Sequence, residues 1–583
     1  MGASALPVVA LPSAAQAQAA QPQAPTREEL GIDSTLQAPP PPRSRLVVEG
    51  DIERGPCPLA APAFADTRVT FSRVTFGNLE AVPPGTLDAS WQDMAGQDLP
   101  VAALCEVRDR AATRLREMGY LAAVQIPPQR IEKNGEVRMD VLIARLVEVQ
   151  VRGDAGANAK HIAAHLARLT KEPYFNARRA ERQLLMLSDI PGYDVRLVLK
   201  PAKGAPGDVV GDVLVKRHPV QITGGIQNLG SKAVGREGAF MQATFNGLTG
   251  MADRTRISLF NTFDIHEQTV VQVSHDFALD SNGLRMGGSL LYAHSEPGEA
   301  GPFNSDTLVG DIGLSYQLVR RQTFSLTTAG GLEIVDQDLD FGSTPLTRDH
   351  LRVFYARLTA DTIDKDSLAG RGGYTANEPK YRLSGTIEAR QGISGLGASD
   401  DCKPITQCLA PRVPISNMLA DPTGFVLRAQ ASAEYRPVPE VTVAVAPRAQ
   451  YSPDSLLAYE QFSVGNYTIG RGLDPGTLLG DSGIGAAVEL RYGRLAPKSP
   501  EDLALQPFVF MDSAWTWHND GGLTNDPQRA ATAGGGLRAR WGDRLDSAFT
   551  LAVPLNDAGL AKTQGDVRLL FTIRARLLPW NPS

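Results

Sequence analysis

The chain has 583 residues, a length that ordinarily indicates several domains. It contains 56 glycines and 6% aromatic residues and lacks any run of about 18 apolar residues, which excludes a membrane protein built from spanning helices. A net charge of -6 without a basic block argues against a nucleic-acid partner.

The first residues have features of an export signal. Residues 5–11 form a short apolar run, and residues 13–19 offer small-residue cleavage sites of the A-x-A kind. We therefore predict a signal-peptide remnant over residues 1–19, with an Ala/Gln/Pro-rich disordered tail as the alternative. No Lys or Arg precedes the apolar run, which leaves a truncated or misassigned start open.

A Pro/Gln-rich segment and linker follows over residues 20–66. Its four consecutive prolines at residues 39–42 predict a stiff, extended spacer. Thr26 and Glu29 have the spacing of a capping box, and the helix that they predict is short.

The four cysteines fall into two pairs by region, Cys57 with Cys105 and Cys402 with Cys408. Neither pair has C-x-x-C spacing, and no histidine cluster accompanies them. We predict disulfides in an oxidising compartment rather than metal ligation, with free thiols as the alternative.

Two units of similar design precede a long region of different pattern. In the first unit, residues 67–144, a strand near 68–76 is followed by a helical pattern over 101–118 and two more strands. The second unit, residues 145–217, repeats the strands with two helical segments. The sequence therefore predicts a small α+β module used twice.

From residue 218 to residue 583 the hydrophobic pattern alternates with a period of two. One face of the segment 381–390 is polar and the other is mostly apolar, and its polar side chains are Arg382, Ser384, Thr386, Glu388 and Arg390. About 16 such strands can be placed, joined alternately by short turns and by long loops such as 392–423 and 453–482. This pattern predicts a membrane β-barrel with a wet lumen and the short turns on the periplasmic side.

The loop 453–482 carries an arginine, Arg471, between Gly470 and Gly472. Such a glycine-flanked cation predicts a loop packed closely against another surface, and the alternative is an ordinary loop arginine. The segment from Phe508 to Asp512 alternates so that Asp512 shares a face with two phenylalanines. That parity is expected of a carboxylate that faces a lumen.

Two small modules, a barrel and the Arg-Gly loop together resemble the two-partner secretion transporters, the hemolysin-secretion and filamentous-hemagglutinin transporter family. The resemblance implies that the modules are polypeptide-transport-associated (POTRA) domains. It also implies that the loop folds into the lumen, where Arg471 pairs with Asp512. The matching loop tip contains Gly470, Gly472, Leu473 and Asp474. Leu473 stands where the family has an aromatic residue, and residues 20–45 show no match to the family's long plug helix.

The resemblance also implies a function. The POTRA domains would bind a large, unfolded, secreted partner protein in the periplasm, and the barrel would pass it to the cell surface. The location is then the outer membrane of a Gram-negative bacterium, with membrane lipid around the barrel and barrel-assembly machinery inserting it. No enzymatic activity, cofactor or metal is expected. An outer-membrane protein insertase and a diffusion porin are the alternative functions.

Three further motifs have simpler explanations. The segment 480–483 resembles a protease nucleophile motif, but it leads into a barrel strand. His161 and His165 have the spacing of a zinc helix without its glutamate, so we predict a surface pair. Trp515 and Trp517 are expected in the aromatic belt at the membrane interface.

Overall fold

The computed structural model describes residues 24–31, 48–49, 56–296, 302–408, 411–558 and 566–580. The predicted signal-peptide remnant and the proline spacer lie outside these residues. No helix in the described ranges is long and apolar enough to cross a membrane. The short 3₁₀ helices are Pro58–Ala60, Pro62–Phe64, Asp88–Ser90, Gln92–Met94, Gly156–Asn158, Arg371–Gly373, Ile405–Cys408 and Ala458–Glu460.

The first unit is a three-stranded sheet covered by one helix. Two elements precede it, α1 (Arg27–Leu30) and β1 (Val48–Glu49). Its own elements are β2 (Arg68–Val69), β3 (Phe71–Gly77), β4 (Leu99–Pro100), α2 (Ala103–Glu117), β5 (Ala122–Gln125) and β6 (Gly135–Ile143). The sheet order is β3-β6-β5, and α2 buries Leu104, Val107, Ala111 and Leu115 against it at helical spacing. A disulfide joins Cys57, upstream of the sheet, to Cys105 on α2.

The second unit has two helices on a four-stranded sheet. Its elements are β7 (Arg145–Gly153), α3 (Ala159–Leu169), α4 (Ala177–Ser188), β8 (Tyr193–Pro201) and β9 (Asp208–Arg217). The sheet order is β1-β8-β9-β7, so the linker strand β1 adds to β8 in parallel.

Sixteen antiparallel strands of the described residues form one closed barrel. They are β10 (Val220–Gln227), β11 (Gly238–Asn246), β12 (Arg254–Thr262), β13 (Gln268–Ala278), β14 (Leu284–Ser295), β15 (Phe303–Arg320), β16 (Phe324–Phe341), β17 (Thr344–Ile363), β18 (Tyr381–Gly392), β19 (Phe425–Val438), β20 (Val441–Tyr451), β23 (Ser482–Tyr492), β24 (Leu503–Trp517), β25 (Gln528–Trp541), β26 (Leu545–Pro554) and β27 (Arg568–Leu578). Three short elements remain, the helix α5 (Lys365–Leu368) and the strands β21 (Phe462–Val464) and β22 (Leu478–Gly480). The predicted fold class is confirmed.

The alternation of apolar and polar residues predicted from the sequence corresponds to the outer and inner faces of the barrel wall. On β18, Ile387 is 56% exposed on the outer face, whereas Arg390 is 1% exposed on the inner face. On β24, Val509 and Met511 point outward and Asp512 is fully buried. An apolar outer band and a polar lumen are what a lipid-embedded barrel requires.

The second unit is docked on the short turns at one end of the barrel. Arg182 on α4 donates to the carbonyl oxygens of Asn282 and Gln317 at 2.9 and 2.7 Å. Asp189 pairs with Arg320 through two bonds of 2.6 and 2.7 Å. These contacts place the end of the barrel with short turns beside the soluble units.

The prediction of a surface histidine pair on α3 was wrong for His165. Its side chain is 3% exposed, and its Nδ1 lies 3.1 Å from Oε1 of Gln183 on the neighbouring helix. The ring of His161 is 5.0 Å away, centroid to centroid. Because α3 packs against α4, the second histidine of the pair falls in the helix–helix interface.

The free energy of unfolding of the second unit should therefore decrease as the pH is lowered. Burial, the largest cause, lowers the pKa of His165 from 6.5 to about 4. Below pH 6.5 the His165 imidazole binds a proton in the unfolded chain but not in the folded unit. The stability present above pH 6.5 is therefore lost progressively down to pH 4. The loss is on the order of 3 kcal/mol. Hydrogen exchange of α3 amides at pH 7 and pH 4 measures this loss.

His165→Gln should flatten this dependence, whereas His266→Gln, in an exposed loop, should not. Equal pH dependence in wild type and His165→Gln would contradict the assignment.

Candidate functional site in the barrel lumen

Residues 453–482, called the inward loop from here on, lie inside the barrel. Its two short strands β21 and β22 pair antiparallel, from Phe462 opposite Gly480 to Val464 opposite Leu478. Phe462, Val464 and Leu478 are each at most 3% exposed, and they pack with Ala514 and Ala530 of the barrel wall. The loop therefore occupies part of the lumen.

Arg471, at the tip of the inward loop, is fastened to Asp512 on β24. Its Nε donates to Oδ2 at 3.0 Å and its Nη2 to Oδ1 at 2.6 Å, which is a bidentate fork. Its backbone amide also donates to Oδ2 at 3.0 Å. The guanidinium lies 3.7 Å from the ring centre of Phe510, a close cation–π contact. The structure thus brings together the two residues that the resemblance pairs.

The glycines beside Arg471 are required by the backbone. Gly470 and Gly472 have φ angles of 108° and 92°, which side chains with a Cβ rarely adopt. A Cβ on Gly472 would lie 2.8 Å from the Cβ of Ala552 on the barrel wall. The tip approaches the wall this closely because both flanking residues lack side chains.

Sequence reasoning missed Glu489 on β23, which also accepts a hydrogen bond from Arg471. Glu489 accepts from both Nη atoms of Arg538 at 3.0 and 2.9 Å and from Arg491 at 2.6 Å. Arg538 in turn lies 4.1 Å from the ring centre of Phe508. The sequence pattern does place Glu489 among the inward-facing positions of β23. Its contact with Arg471, however, depends on where the inward loop lies, which the pattern of the strand does not predict.

The next two residues of the tip have separate contacts. Leu473 is 8% exposed and joins the apolar cluster of the loop, so leucine fills the position that is aromatic in the family. Asp474 accepts a hydrogen bond from Arg568 on β27. The side chains of Arg471 and Asp474 therefore attach one tip to different strands.

A second chain segment, residues 24–31, also lies in the lumen and is called the lumen segment. It contains α1, whose cap Thr26 accepts from the amide of Glu29 at 3.3 Å, as the capping-box spacing predicts. Leu30 is 1% exposed and contacts the apolar lumen cluster. The absence of a long helical pattern in residues 20–45 gave no sign that this short helix would enter the barrel.

Ion pairs hold the lumen segment to the barrel wall and to the inward loop. Arg27 lies 3.0 Å from Glu333 on β16 and 3.8 Å from Glu460 of the inward loop. Glu28 accepts from Arg448 on β20 at 2.9 Å. Glu333 and Glu460 also bond Arg390, whose side chain is 1% exposed, each at 2.6 Å. The lumen segment therefore completes a buried charge network that includes the inward loop.

The loop between β18 and β19 covers the lumen from the end remote from the soluble units. Its disulfide joins Cys402 and Cys408. Cys402 is 3% exposed and packs in the same cluster as Leu30 and Tyr459. The three elements that enter or cover the lumen meet at this cluster.

The protease-like segment has a structural role. Asp481 is 1% exposed and accepts from the amides of Leu456 at 2.8 Å and Asn519 at 2.7 Å.

Trp515 and Trp517, on β24, are 40% and 38% exposed on the outer face. In the described ranges no group of three or more His, Cys, Asp or Glu side chains is placed to hold a metal ion.

Family models match one segment of the barrel region and the first soluble unit. Residues 371–539 match the haemolysin secretion/activation protein family ShlB/FhaC/HecB, and residues 69–143 match the ShlB-type POTRA domain. No curated protein matches at the sequence level. The resemblance to two-partner secretion transporters is confirmed.

Solved structures show the same fold. CdiB from Escherichia coli has a TM-score of 0.64 at 17% identity, with 94% of this chain and 95% of that chain covered. CdiB from Acinetobacter baumannii gives 0.58 at 15% identity, covering 90% and 91%. BamA from Haemophilus ducreyi lacking POTRA domains 1–3 gives 0.52 at 14% identity, covering 88% and 100%.

The chain is a barrel protein of the outer membrane, and its POTRA region is periplasmic, as in this family. The short turns that contact the second unit are then periplasmic, and the inward loop starts and ends at the cell surface.

Removing the Arg471 side chain should release the inward loop. Asp512 would remain buried without its cation, and breaking a buried pair in this way costs about 3–5 kcal/mol. In an Arg471→Ala background, a cysteine at Ser463, which is 2% exposed, should become reactive towards an impermeant maleimide. Arg412→Ala, in another surface loop, is the control and should leave the cysteine protected. Protection in both variants would show that Arg471 does not hold the loop.

Proposed function

We propose that this chain recognises an unfolded secreted partner protein in the periplasm and passes it through its barrel to the cell surface. The observation that supports this most strongly is the filling of the lumen. A 16-stranded barrel is wide enough for a water-filled channel, and here two separate chain segments occupy the lumen, held by ion pairs as well as by apolar contacts. Such contacts are reversible, which a passage for polypeptide needs.

The first unit offers a surface for an extended client. In the described residues, β6 pairs with both β3 and β5, so these two strands form the edges of the sheet. The corresponding edge of the second unit, β8, is already paired with β1. An extended peptide can add to an open sheet edge through backbone hydrogen bonds, which gives affinity with little demand on sequence. We therefore propose the edge of β5 as the client's first contact.

Passage then requires the lumen segment to leave. Its ion pairs involve charged groups on β16, on β20 and on the inward loop, and all of these remain on the wall or loop after it departs. The polar inner faces of the strands remain available to a hydrated chain. Folding of the client outside would favour net movement outward. Membrane lipid would contact the apolar outer face, and barrel-assembly machinery would insert the barrel.

Insertion of other outer-membrane proteins is the second candidate function. The fold similarity to BamA, at a TM-score of 0.52, favours it. The number of soluble units argues against it, since an insertase typically has more POTRA domains and the described residues contain two soluble units before the barrel, of which the first matches a POTRA model. Depletion of the protein separates the two functions: an insertase loss lowers many barrel proteins in the membrane, whereas a transporter loss affects one client.

Weakening the lumen segment should open the resting channel. Arg27→Ala removes the ion pairs to Glu333 and Glu460 and leaves both carboxylates without one of their cations. We expect open events in planar bilayers to become several-fold more frequent. Arg130→Ala, an exposed arginine of the first unit, is the matched control. Identical conductance in wild type and Arg27→Ala would contradict the role of the segment.

Export should depend on Arg471. The protein is co-expressed with a candidate client, a large exoprotein chosen from the genes adjacent to its own, and the amount of client outside the cell is measured. Arg471→Ala should abolish export while barrel abundance and heat-modifiable mobility stay near wild type, because the wall strands keep their hydrogen bonds. Arg412→Ala should export normally. Normal secretion by Arg471→Ala would rule out the anchoring role.

A further inference from the structure

The barrel closes between its first strand, β10, and its last strand, β27, and this seam has few backbone contacts. Six residue pairs join the two strands, from Ile222 opposite Leu578 to Gln227 opposite Thr572, with a bulge after Ile222. Every other pair of neighbouring barrel strands has a longer ladder. The seam therefore needs other interactions near its outer end.

The side chain of Asn228 continues the ladder by one step. Its Nδ2 donates to the carbonyl oxygen of Leu569 at 2.8 Å, and its Oδ1 accepts from the amide of Phe571 at 2.7 Å. Its backbone amide donates to the carbonyl oxygen of Phe571 at 3.2 Å. An asparagine side chain can replace a peptide group in this way because it has the same donor and acceptor.

The tip of the inward loop bonds to the last residue of β10 and to the chain that follows it. The hydroxyl of Tyr467 accepts from Nε2 of Gln227 at 3.0 Å, and Nδ2 of Asn466 donates to the carbonyl oxygen of Leu229 at 3.0 Å. Oδ2 of Asp474 accepts from the backbone amide of Lys232 at 3.2 Å. Three residues of the loop thus bond to the first-strand side of the seam.

The same aspartate bonds to the other side of the seam. Oδ1 of Asp474 pairs with Nη1 of Arg568, the first residue of β27, at 2.5 Å. Arg236, across the seam, lies 3.7 Å from the same oxygen. The two carboxylate oxygens therefore connect the last strand with the loop that follows the first strand.

We propose that Asp474 is a second anchor of the inward loop and that it stabilises the seam between β10 and β27, at which the barrel closes. Arg471 fixes the loop to β24, which lies away from the seam, whereas Asp474 fixes it to β27 and to the chain after β10. Release of the loop then weakens the seam, and separation of the seam strands releases the loop. The coupling works in both directions because both events break the same bonds.

The experiment measures barrel stability with and without a covalent closure of the seam. Ile226 and Ile573 face each other across the seam, and replacing both by cysteine adds a closing disulfide. The four native cysteines are already paired with each other. The readout is the temperature at which the detergent-solubilised full chain loses its folded mobility on SDS gels, with the new disulfide oxidised or reduced.

Asp474→Asn keeps the size of the side chain and removes its charge, so the barrel should assemble. We expect its melting temperature to fall by several degrees in the reduced state and to return to that of the oxidised wild type when the seam disulfide forms. Arg568→Gln should lower the melting temperature by a similar amount. Added to Asp474→Asn, it should lower the melting temperature little further, because both variants break the same ion pair. Asp543→Asn is the matched control, because Asp543 pairs with Arg576 at the periplasmic end of β27.

Two results would overturn the proposal. One is an unchanged melting temperature in Asp474→Asn. The other is a lowered melting temperature that the seam disulfide fails to restore, since Asp474 would then stabilise the protein without acting through the seam. Both tests are independent of client export, so they stand whether or not the proposed function holds.

Discussion

The position of the inward loop in this barrel depends first on the bidentate pairing of Arg471 with Asp512. Asp512 is fully buried on the inner wall, and a buried carboxylate is costly unless a cation and hydrogen bonds compensate it. The compensating cation comes from a loop that begins and ends at the outer rim. The wall therefore requires the loop to be inside, and the flanking glycines permit it to approach.

The inward loop and the lumen segment are held by one connected set of charges. Glu460 belongs to the loop, and it bonds Arg390 and Arg428 of the wall as well as lying near Arg27 of the lumen segment. Loss of either segment thus changes the charge balance around the other. A lumen filled in this way has two removable parts whose stabilities are linked, rather than one rigid plug.

The sequence predicted the parts of the structure that depend on local pattern. Alternation along each strand predicted the barrel, its approximate number of strands and the inward side of Asp512, because a two-residue period is visible without knowledge of neighbouring strands. The capping box at Thr26 predicted α1. The location of α1 inside the lumen was not predictable, since four residues have no periodicity and the charges that bind them lie hundreds of residues away. Glu489 and Arg568 were missed for the same reason, and His165 because its burial depends on how two helices pack.

Charge pairing is a suitable means of holding segments that have to move. Apolar packing, which the inward loop also has against Ala514 and Ala530, resists removal in proportion to the area buried and leaves apolar surface exposed in the lumen afterwards. A buried ion pair contributes little net stability relative to a well-packed apolar contact, yet it defines one position because its geometry is directional. After a segment leaves, water can solvate the charged groups of the wall. An apolar wall would gain no comparable hydration. Arg471, Arg27 and Asp474 each follow this rule, so the lumen can be specifically filled at rest and remain polar enough to hold water when it is vacated.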